Sequence, residues 1–356
     1  MQITDLKIHN FRNYDCQEIE LCPFINVIYG HNAQGKTNIL ESIFLCAMGK
    51  SFRTNKDKDL VKLGEKNAQI ELSFKKKDRE GKIKIELADK KRVFLNGIPI
   101  KKLSDLVGNI NVVIFSPDDI DILKGGPQKR RKFLDIMISQ LRPAYIHLLN
   151  RYLKTLEQKN AYLKQIKMFN KTEEMLDIWD EKLAELGYKI YKYRDEFIKK
   201  IQNKVDLIHP IVTKNEEKME IEYKTDSSDK QKILELLKEN RKADILKGFS
   251  GKGIHRDDFM IYINKQLINI YGSQGQHRTS ILSLKQAEVE IVYDEIGEYP
   301  ILLLDDFMSE LDEKRRRSFL ENVENTQILI TCTDKINLNK LNYKLYNVNK
   351  GKIICE

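Results

Sequence analysis

An α/β chain carrying a helical second lobe is what this sequence predicts, and three observations predict it. An apolar run, Phe24-Ile25-Asn26-Val27-Ile28-Tyr29, leads into the glycine loop Gly30-His31-Asn32-Ala33-Gln34-Gly35-Lys36-Thr37, which opens onto the helical stretch Asn38 to Leu45. A second apolar run, Ile301-Leu302-Leu303-Leu304, ends in the carboxylate pair Asp305-Asp306. Between the two, from about residue 120 to about residue 208, the apolar spacing is that of amphipathic helices.

The 356 residues suffice for two domains with a sizeable core. Three segments are expected: 1–119 as the first part of a head bearing the glycine loop, 120–256 as an inserted helical lobe, and 257–356 as the return to the head. The formal net charge of +9 arises from 62 Lys and Arg against 53 Asp and Glu, a surface of both signs that suits nucleic acid or anionic lipid without selecting either. The five cysteines form no CxxC pair, which argues against a disulfide framework or zinc site and for a reducing cytoplasm. The first residues have no apolar signal core, and the longest apolar runs are about six residues, far short of a membrane span.

Taken in order, Ile3 to Ile8 and Cys16 to Leu21 alternate as strands around Phe11-Arg12-Asn13-Tyr14. The run into the glycine loop is apolar on both faces, the mark of a buried parallel strand. Gly49 to Thr54 is a polar connection, after which Ala68 to Phe74, Lys82 to Leu87 and Arg92 to Leu95 read as strands, the last closing on the turn pair Asn96-Gly97. Ile110 to Phe115 is a further core strand. Ser116-Pro117-Asp118-Asp119 then has the form of a capping box with proline in the first helical turn. Ala144 to Lys167 and Thr172 to Ile201 are amphipathic helices, too short for an extended coiled-coil arm, and Asp229 to Leu246 adds a third ahead of the loop Gly248 to Gly253. Strand character returns at Phe259 to Ile263 and Gln266 to Tyr271. A helix with Ile281, Leu284, Ala287 and Ile291 on one face follows Gly272 to Gln276. After the carboxylate pair come a helix at Leu311 to Val323, a buried strand at Gln327 to Thr331 and a hairpin from Asn342 to Ile354 around Lys350-Gly351.

The glycine loop has the spacing GxxxxGK[ST] in the strand–loop–helix context that gives the spacing meaning. Such a loop gathers backbone N–H groups at one point, glycines let the backbone approach a phosphate, and the helix N-terminus favours an anion. Gly30 through Thr37 are therefore assigned to ATP phosphates, with Lys36 reaching the β- and γ-phosphates and the Thr37 hydroxyl on Mg²⁺. Asp305 at a strand end is a Mg²⁺ ligand in such proteins, and a neighbouring carboxylate orients or deprotonates the attacking water. That role falls to Asp306, whose other reading is an acidic helix cap. Ser273-Gln274-Gly275-Gln276, just before a helix, is either a short signature loop that holds a γ-phosphate across a dimer or an ordinary polar helix start. The order of glycine loop, insert, signature loop, Asp strand and Ser309-Glu310-Leu311-Asp312 favours the first. Lys129-Arg130-Arg131-Lys132 and Lys314-Arg315-Arg316-Arg317 are candidate DNA phosphate clusters or, alternatively, solvated helix faces.

Several stretches together resemble the RecF family of bacterial recombination-mediator ATPases, related to the SMC-type heads. They are Ile8 to Tyr14, the glycine loop, Gly49-Lys50-Ser51-Phe52-Arg53-Thr54, Phe115 to Asp119, Gly125-Gly126-Pro127 with Arg130-Arg131 and Phe133-Leu134-Asp135, and Gly253-Ile254-His255-Arg256-Asp257-Asp258. The Ser-Gln-Gly-Gln loop, the Asp pair and the Ser-Glu-Leu-Asp stretch with Ser309 and Asp312 complete the set. The resemblance implies a P-loop NTPase of the ABC/SMC-head type with a helical second lobe. It also implies ATP-driven homodimerisation, with the signature loop facing the nucleotide of the other subunit, and slow DNA-stimulated hydrolysis. The family acts at single-strand gaps and at junctions with duplex, with RecO and RecR, to load RecA in replication, repair and SOS induction. Arg12 matches the arginine near the phosphates in SMC-type heads; its other reading is a surface turn residue. The pair Asp305-Asp306 departs from the usual Asp-Glu, which fits a switch better than a fast motor. The strand ending Thr331-Cys332-Thr333 lacks the histidine common in transporters and leaves Thr331 or Thr333 to replace it. The competing classes are an ABC-type transporter subunit and a kinase on the same loop. The shortened signature and the helical insert speak against the first, and the signature loop's lack of a role speaks against the second.

Overall fold

The computed structural model describes residues 1–169, 171–226, 228–306, 319, 326–336, 338 and 342–356. Strands β1 (Gln2–Phe11) and β2 (Tyr14–Glu20) pair antiparallel as their alternation requires. Then come β3 (Ile25–Tyr29), the glycine loop and α1 (Lys36–Met48), a helix buried from Ile39 to Met48. Strands β4 (Ala68–Lys75), β5 (Glu80–Leu87), β6 (Arg92–Leu95) and β7 (Ile98–Ile100) join the first two in an antiparallel sheet ordered β2-β1-β4-β5-β6-β7. The β6–β7 turn is Asn96-Gly97, both at positive φ (52° and 80°), as an Asn-Gly hairpin turn demands. β8 (Val112–Phe115) follows. Ser116 and Asp119 form the expected box, with the Ser116 amide donating to Asp119 Oδ2 at 2.7 Å.

The next segment is largely helical: α2 (Ile120–Lys124), α3 (Pro127–Leu141), α4 (Pro143–Phe169) and α5 (Met175–Thr213). The last runs well beyond Ile201. β9 (Met219–Lys224) is an additional strand, and α6 (Lys230–Glu239) and α7 (Arg241–Lys247) replace one expected helix, parting at Asn240. β10 (Asp258–Ile263) lies between β9 and the short β11 (Gln266–Leu267) in a three-stranded sheet. The expected strand through Tyr271 gives way after Leu267 to the helical turn α8 (Ile268–Tyr271). The Ile268 carbonyl accepts from the Gly272 amide (2.9 Å) and lies 3.1 Å from His277 Nε2, which curls the backbone away from a ladder.

Helix α9 (Gln274–Ile296) leads back to β12 (Ile301–Leu304), β13 (Ile328–Cys332), β14 (Tyr343–Asn349) and β15 (Lys352–Cys355). These build a second six-stranded sheet, ordered β15-β14-β3-β13-β12-β8. The parallel strands β3, β12 and β13 are almost wholly buried. Gln327 ties this sheet to β1: its Oε1 accepts from the Ile3 amide (2.7 Å) and its Nε2 donates to the Ile3 carbonyl (2.8 Å) across 324 residues.

Two units result, Met1–Asp119 with Glu288–Glu356, and Ile120–Ala287. The return to the head thus falls inside α9 rather than at residue 257, because β10 pairs with β9 along its whole length. Among the described residues no helix is long and apolar enough to cross a membrane.

Candidate functional site

In the first unit, β13 lies between the glycine-loop strand β3 and the Asp strand β12. That order sets Thr331 on the middle strand between Thr37 and Asp305. Thr37 Oγ1 donates to Asp305 Oδ1 at 2.8 Å, and Thr331 Oγ1 donates to the same oxygen at 2.8 Å. The Thr331 hydroxyl also accepts from the Asp306 amide at 2.9 Å. Burial holds the Asp305 carboxyl above its ordinary range. The hydroxyls of Thr331 and Thr37 pull it back, and neighbouring Asp306 adds to the rise. Asp306 sits at φ 46°, in left-handed backbone that aspartate adopts more readily than glutamate. A local reason for the Asp-Asp pair is therefore present in the backbone.

The loop itself is shaped by its neighbours. Gly30 has φ 148°, and a Cβ there would lie 2.3 Å from the Val348 carbonyl oxygen of β14. A Cβ at Gly35 (φ 114°) would meet the Asn13 side chain at 2.6 Å. Lys36 Nζ donates to the carbonyls of Gly30 (2.7 Å) and His31 (3.1 Å), spanning the loop. Asn13 Nδ2 donates to the Gln34 carbonyl (2.6 Å), Tyr14 OH to the Gly35 carbonyl (3.0 Å), and the Lys350 amide to Gln34 Oε1 (2.6 Å). His31, Asn32 and Ala33 form the exposed crest, Ala33 at φ 65°.

Arg12 is placed differently from the phosphate role. Its Nε and Nη2 fork onto both oxygens of Glu41 (2.8 and 2.7 Å), and its Nη1 donates to the Asp59 carbonyl (2.8 Å). Glu41 is fully buried on α1 and also accepts from Ser51 Oγ at 2.5 Å, with Arg53 3.5 Å away. A buried carboxylate demands such partners, and Arg12 answers that demand.

Asn13, Tyr14, Asn38, Glu41, Ser51 and Arg53 support the loop and its helix, and no motif spacing marks them for it. The available signal was Glu41, a lone charge inside the apolar run of α1.

In the second unit, Ser273, Gln274 and Gly275 are exposed at the start of α9. Gln276 Oε1 accepts from the Ser273 amide (2.9 Å) while Ser273 Oγ accepts from the Gln276 amide (3.2 Å). That is a reciprocal capping box, whose S-x-x-Q spacing is visible in the sequence. In the basic run Lys129 to Lys132, Arg130 is buried and forks onto Asp258 (2.6 and 2.8 Å). Arg130 is therefore withdrawn from the expected phosphate cluster, because its charge is spent on an internal carboxylate. Arg131 donates to the Asp257 carbonyl (2.6 Å), and Lys129 pairs with Asp121 (2.9 Å). Ser309, Asp312 and the run Lys314 to Arg317 lie outside the described residues. Thr333 is exposed and donates to Asp334 (2.9 Å), so of the two threonines it is Thr331 that touches the Asp pair.

The donor set fits the implied ligands. Thr37 and Asp305 present oxygen atoms in contact with one another, the ligand type Mg²⁺ takes alongside waters and phosphate. Among the described residues no cluster of three or more His, Cys, Asp or Glu could hold a metal by itself.

The model of the RecF/RecN/SMC N terminal domain matches residues 2–354. The DNA replication and repair protein RecF of Alkaliphilus oremlandii is 43% identical over 368 residues, covering 99% of this chain and all of that protein. The chain belongs to the RecF family. A RecF of Clostridium perfringens is likewise 43% identical over the full length of both. The solved recombination mediator protein RecF-ATP of the RecFOR pathway superposes with a TM-score of 0.94 at 37% identity, covering 99% of this chain and 97% of that one. A Smc head domain from Pyrococcus furiosus superposes at TM-score 0.58 and 16% identity, which, with the family-model match, shows that the RecF-family fold is that of the SMC-type heads.

Proposed function

We propose that the protein is an ATP-dependent, DNA-binding recombination mediator of replication and repair, acting in the cytoplasm at single-strand gaps and single-/double-strand junctions. It works with RecO and RecR to promote loading of RecA, and contributes to SOS induction. ATP drives homodimerisation, and slow hydrolysis resets it. The observation that carries the reading is the hydrogen-bond chain Thr37–Asp305–Thr331–Asp306, which joins the glycine loop to the Asp strand in a chain 43% identical to a RecF. Support also comes from the close superposition on a RecF-ATP structure.

Bound Mg-ATP supplies the anhydride that is cleaved and the charge that links two subunits. The chain's own residues divide the work around it. Lys36 and the loop amides between Gly30 and Thr37 would hold phosphate oxygens, and Thr37 and Asp305 would hold Mg²⁺. Asp306, its amide fixed by Thr331, orients the attacking water. Ser273 to Gln276 offer the N-terminus of α9 to the γ-phosphate of the other subunit.

Solution mass tests this, measured without nucleotide, with ATP and with ADP. ATP alone is expected to double the mass of the wild type. Ser273→Arg is expected to stay monomeric while still binding ATP. A mass that ATP leaves unchanged would overturn the switch.

A further inference from the structure

The stretch Gly253 to Asp258 has no part in the nucleotide site, yet four of its residues are tied to side chains or carbonyls of other elements. The Ile254 carbonyl accepts from Arg194 Nη1 at 2.9 Å. His255 lies between the Tyr152 hydroxyl (2.9 Å from Nδ1) and the Ser250 carbonyl (3.1 Å from Nε2). Asp257 accepts from Tyr223 OH (2.6 Å) and Thr225 Oγ1 (3.0 Å), and Asp258 holds the Arg130 fork. Arg256 alone points to solvent, and its guanidinium stands over the ring of Phe249, 5.7 Å from the centroid. Phe249 is 42% exposed.

The adjoining loop Gly248 to Gly253 is fixed from beneath by buried charge. Lys159 and Asp180, both fully buried, pair at 2.7 Å, with Asp244 3.5 Å from the same ammonium. Asp244 accepts from the Gly251 amide (2.9 Å) and from Ser250 Oγ (3.2 Å), and Asn160 Oδ1 accepts from the Ser250 amide (2.7 Å). Burying such ions is costly, and here the cost holds one surface loop in one shape. Around that loop stand Lys164, whose Cγ is 3.3 Å from a Cβ built on Gly248, and Lys247, whose Nζ is 3.9 Å from one built on Gly251. Lys252 pairs with Asp226 at 3.2 Å. Among the described residues no carboxylate pairs with Lys164, Lys247 or Arg256. The patch thus gathers Lys164, Lys247, Lys252 and Arg256 around the exposed ring of Phe249, with Lys252 alone of the four paired to a described carboxylate.

We propose that Phe249 and Arg256, on the loop Gly248 to Gly253, form a platform for a single-stranded nucleic acid: one unpaired base stacks on the ring–guanidinium pair, and Lys164, Lys247 and Lys252 take the flanking phosphates. Aromatic stacking flanked by cations is how single strands are held without sequence preference. A duplex offers phosphates but keeps its base faces stacked, so the ring would go unused. The platform rests on the DNA-binding reading above and gives it a place on the second unit.

The test is fluorescence anisotropy with a labelled oligo-dT of about 16 nucleotides, an abasic backbone of equal length, and a duplex. Phe249→Ala is expected to weaken oligo-dT binding about tenfold and to leave abasic binding unchanged. Arg256→Ala is expected to weaken both, and Lys247→Ala to lower the salt slope by about 0.7. If Phe249→Ala melts early, Phe249→Trp serves instead. Its fluorescence is expected to be quenched by oligo-dT and not by the abasic strand, and equal signals from both would overturn the stack. Poly-glutamate competing as well as oligo-dT would reassign the patch to an acidic protein. Oligo-dT binding by Phe249→Ala equal to the parent's would overturn the platform while leaving the ATP-driven mass change standing. A parent that binds no oligonucleotide would overturn both platform and DNA binding.

Discussion

Thr331 serves two neighbours with one hydroxyl, donating to Asp305 and accepting from the Asp306 amide. Thr331→Val keeps the shape and strands both groups. A stability loss of about 1–3 kcal/mol is expected, read as a lower urea midpoint. Thr331→Ser should restore most of it. Thr331→Val, unlike Thr331→Ser, also removes the larger of the two hydroxyl contributions that hold down the Asp305 pKa. Gly30 makes a harsher case: an added methyl would lie 2.3 Å from a backbone oxygen of another strand, at a φ alanine avoids. Gly30→Ala is expected to cost more than about 2 kcal/mol in thermal melting, so the glycine serves the fold before any phosphate arrives. The meeting of Thr37 with Asp305, and Lys36 at the head of the loop helix, were legible in the sequence because motif spacing encodes them over a few residues. The Arg12–Glu41 fork was not, since it depends on which face of α1 meets the β1–β2 turn.

The turn Gly253 to Asp258 holds two titrating groups of opposite habit. Burial lowers the His255 pKa to about 4 and raises that of Asp257 to about 6. Neutral His255 contributes stability that is full above its unfolded pKa and is lost as pH falls towards 4. Protonated Asp257 contributes stability that is full below its unfolded pKa and is lost as pH rises through 6. Between pH 4 and 6 the two slopes oppose each other. Asp257→Asn leaves the histidine slope uncompensated. On acidification across that window the parent should gain roughly 2–3 kcal/mol relative to the variant, measured by urea unfolding at each pH. A difference that stays flat with pH would refute it. Elements differ in how openly a sequence declares them. The buried strands and long helices follow from apolar period. β9 (Met-Glu-Ile-Glu-Tyr-Lys) alternates too, but so many charges hide it until β10 provides the partner. The break at Asn240 and the curl at α8 come from local bonds that periodicity does not carry.

Across the whole molecule the +9 excess is spread among 62 cations, many already paired with carboxylates. DNA binding driven by backbone charge should therefore show little sequence preference and a steep salt response, close to 0.7–0.9 in log–log slope per phosphate contacted. Affinity that barely changes with salt would count against it. One topological fact bears on how the protein comes into being. Among the described strands β3, which delivers the glycine loop, pairs only with β13 and β14, encoded some three hundred residues later. A ribosome therefore releases the second unit, Ile120–Ala287, while the loop strand still waits for both of its partners. Any chain cut short before residue 328 lacks both sides of that strand. Nucleotide binding would then report that translation has reached the final strands, and broken nascent chains would be kept out of the working population without a separate inspection step.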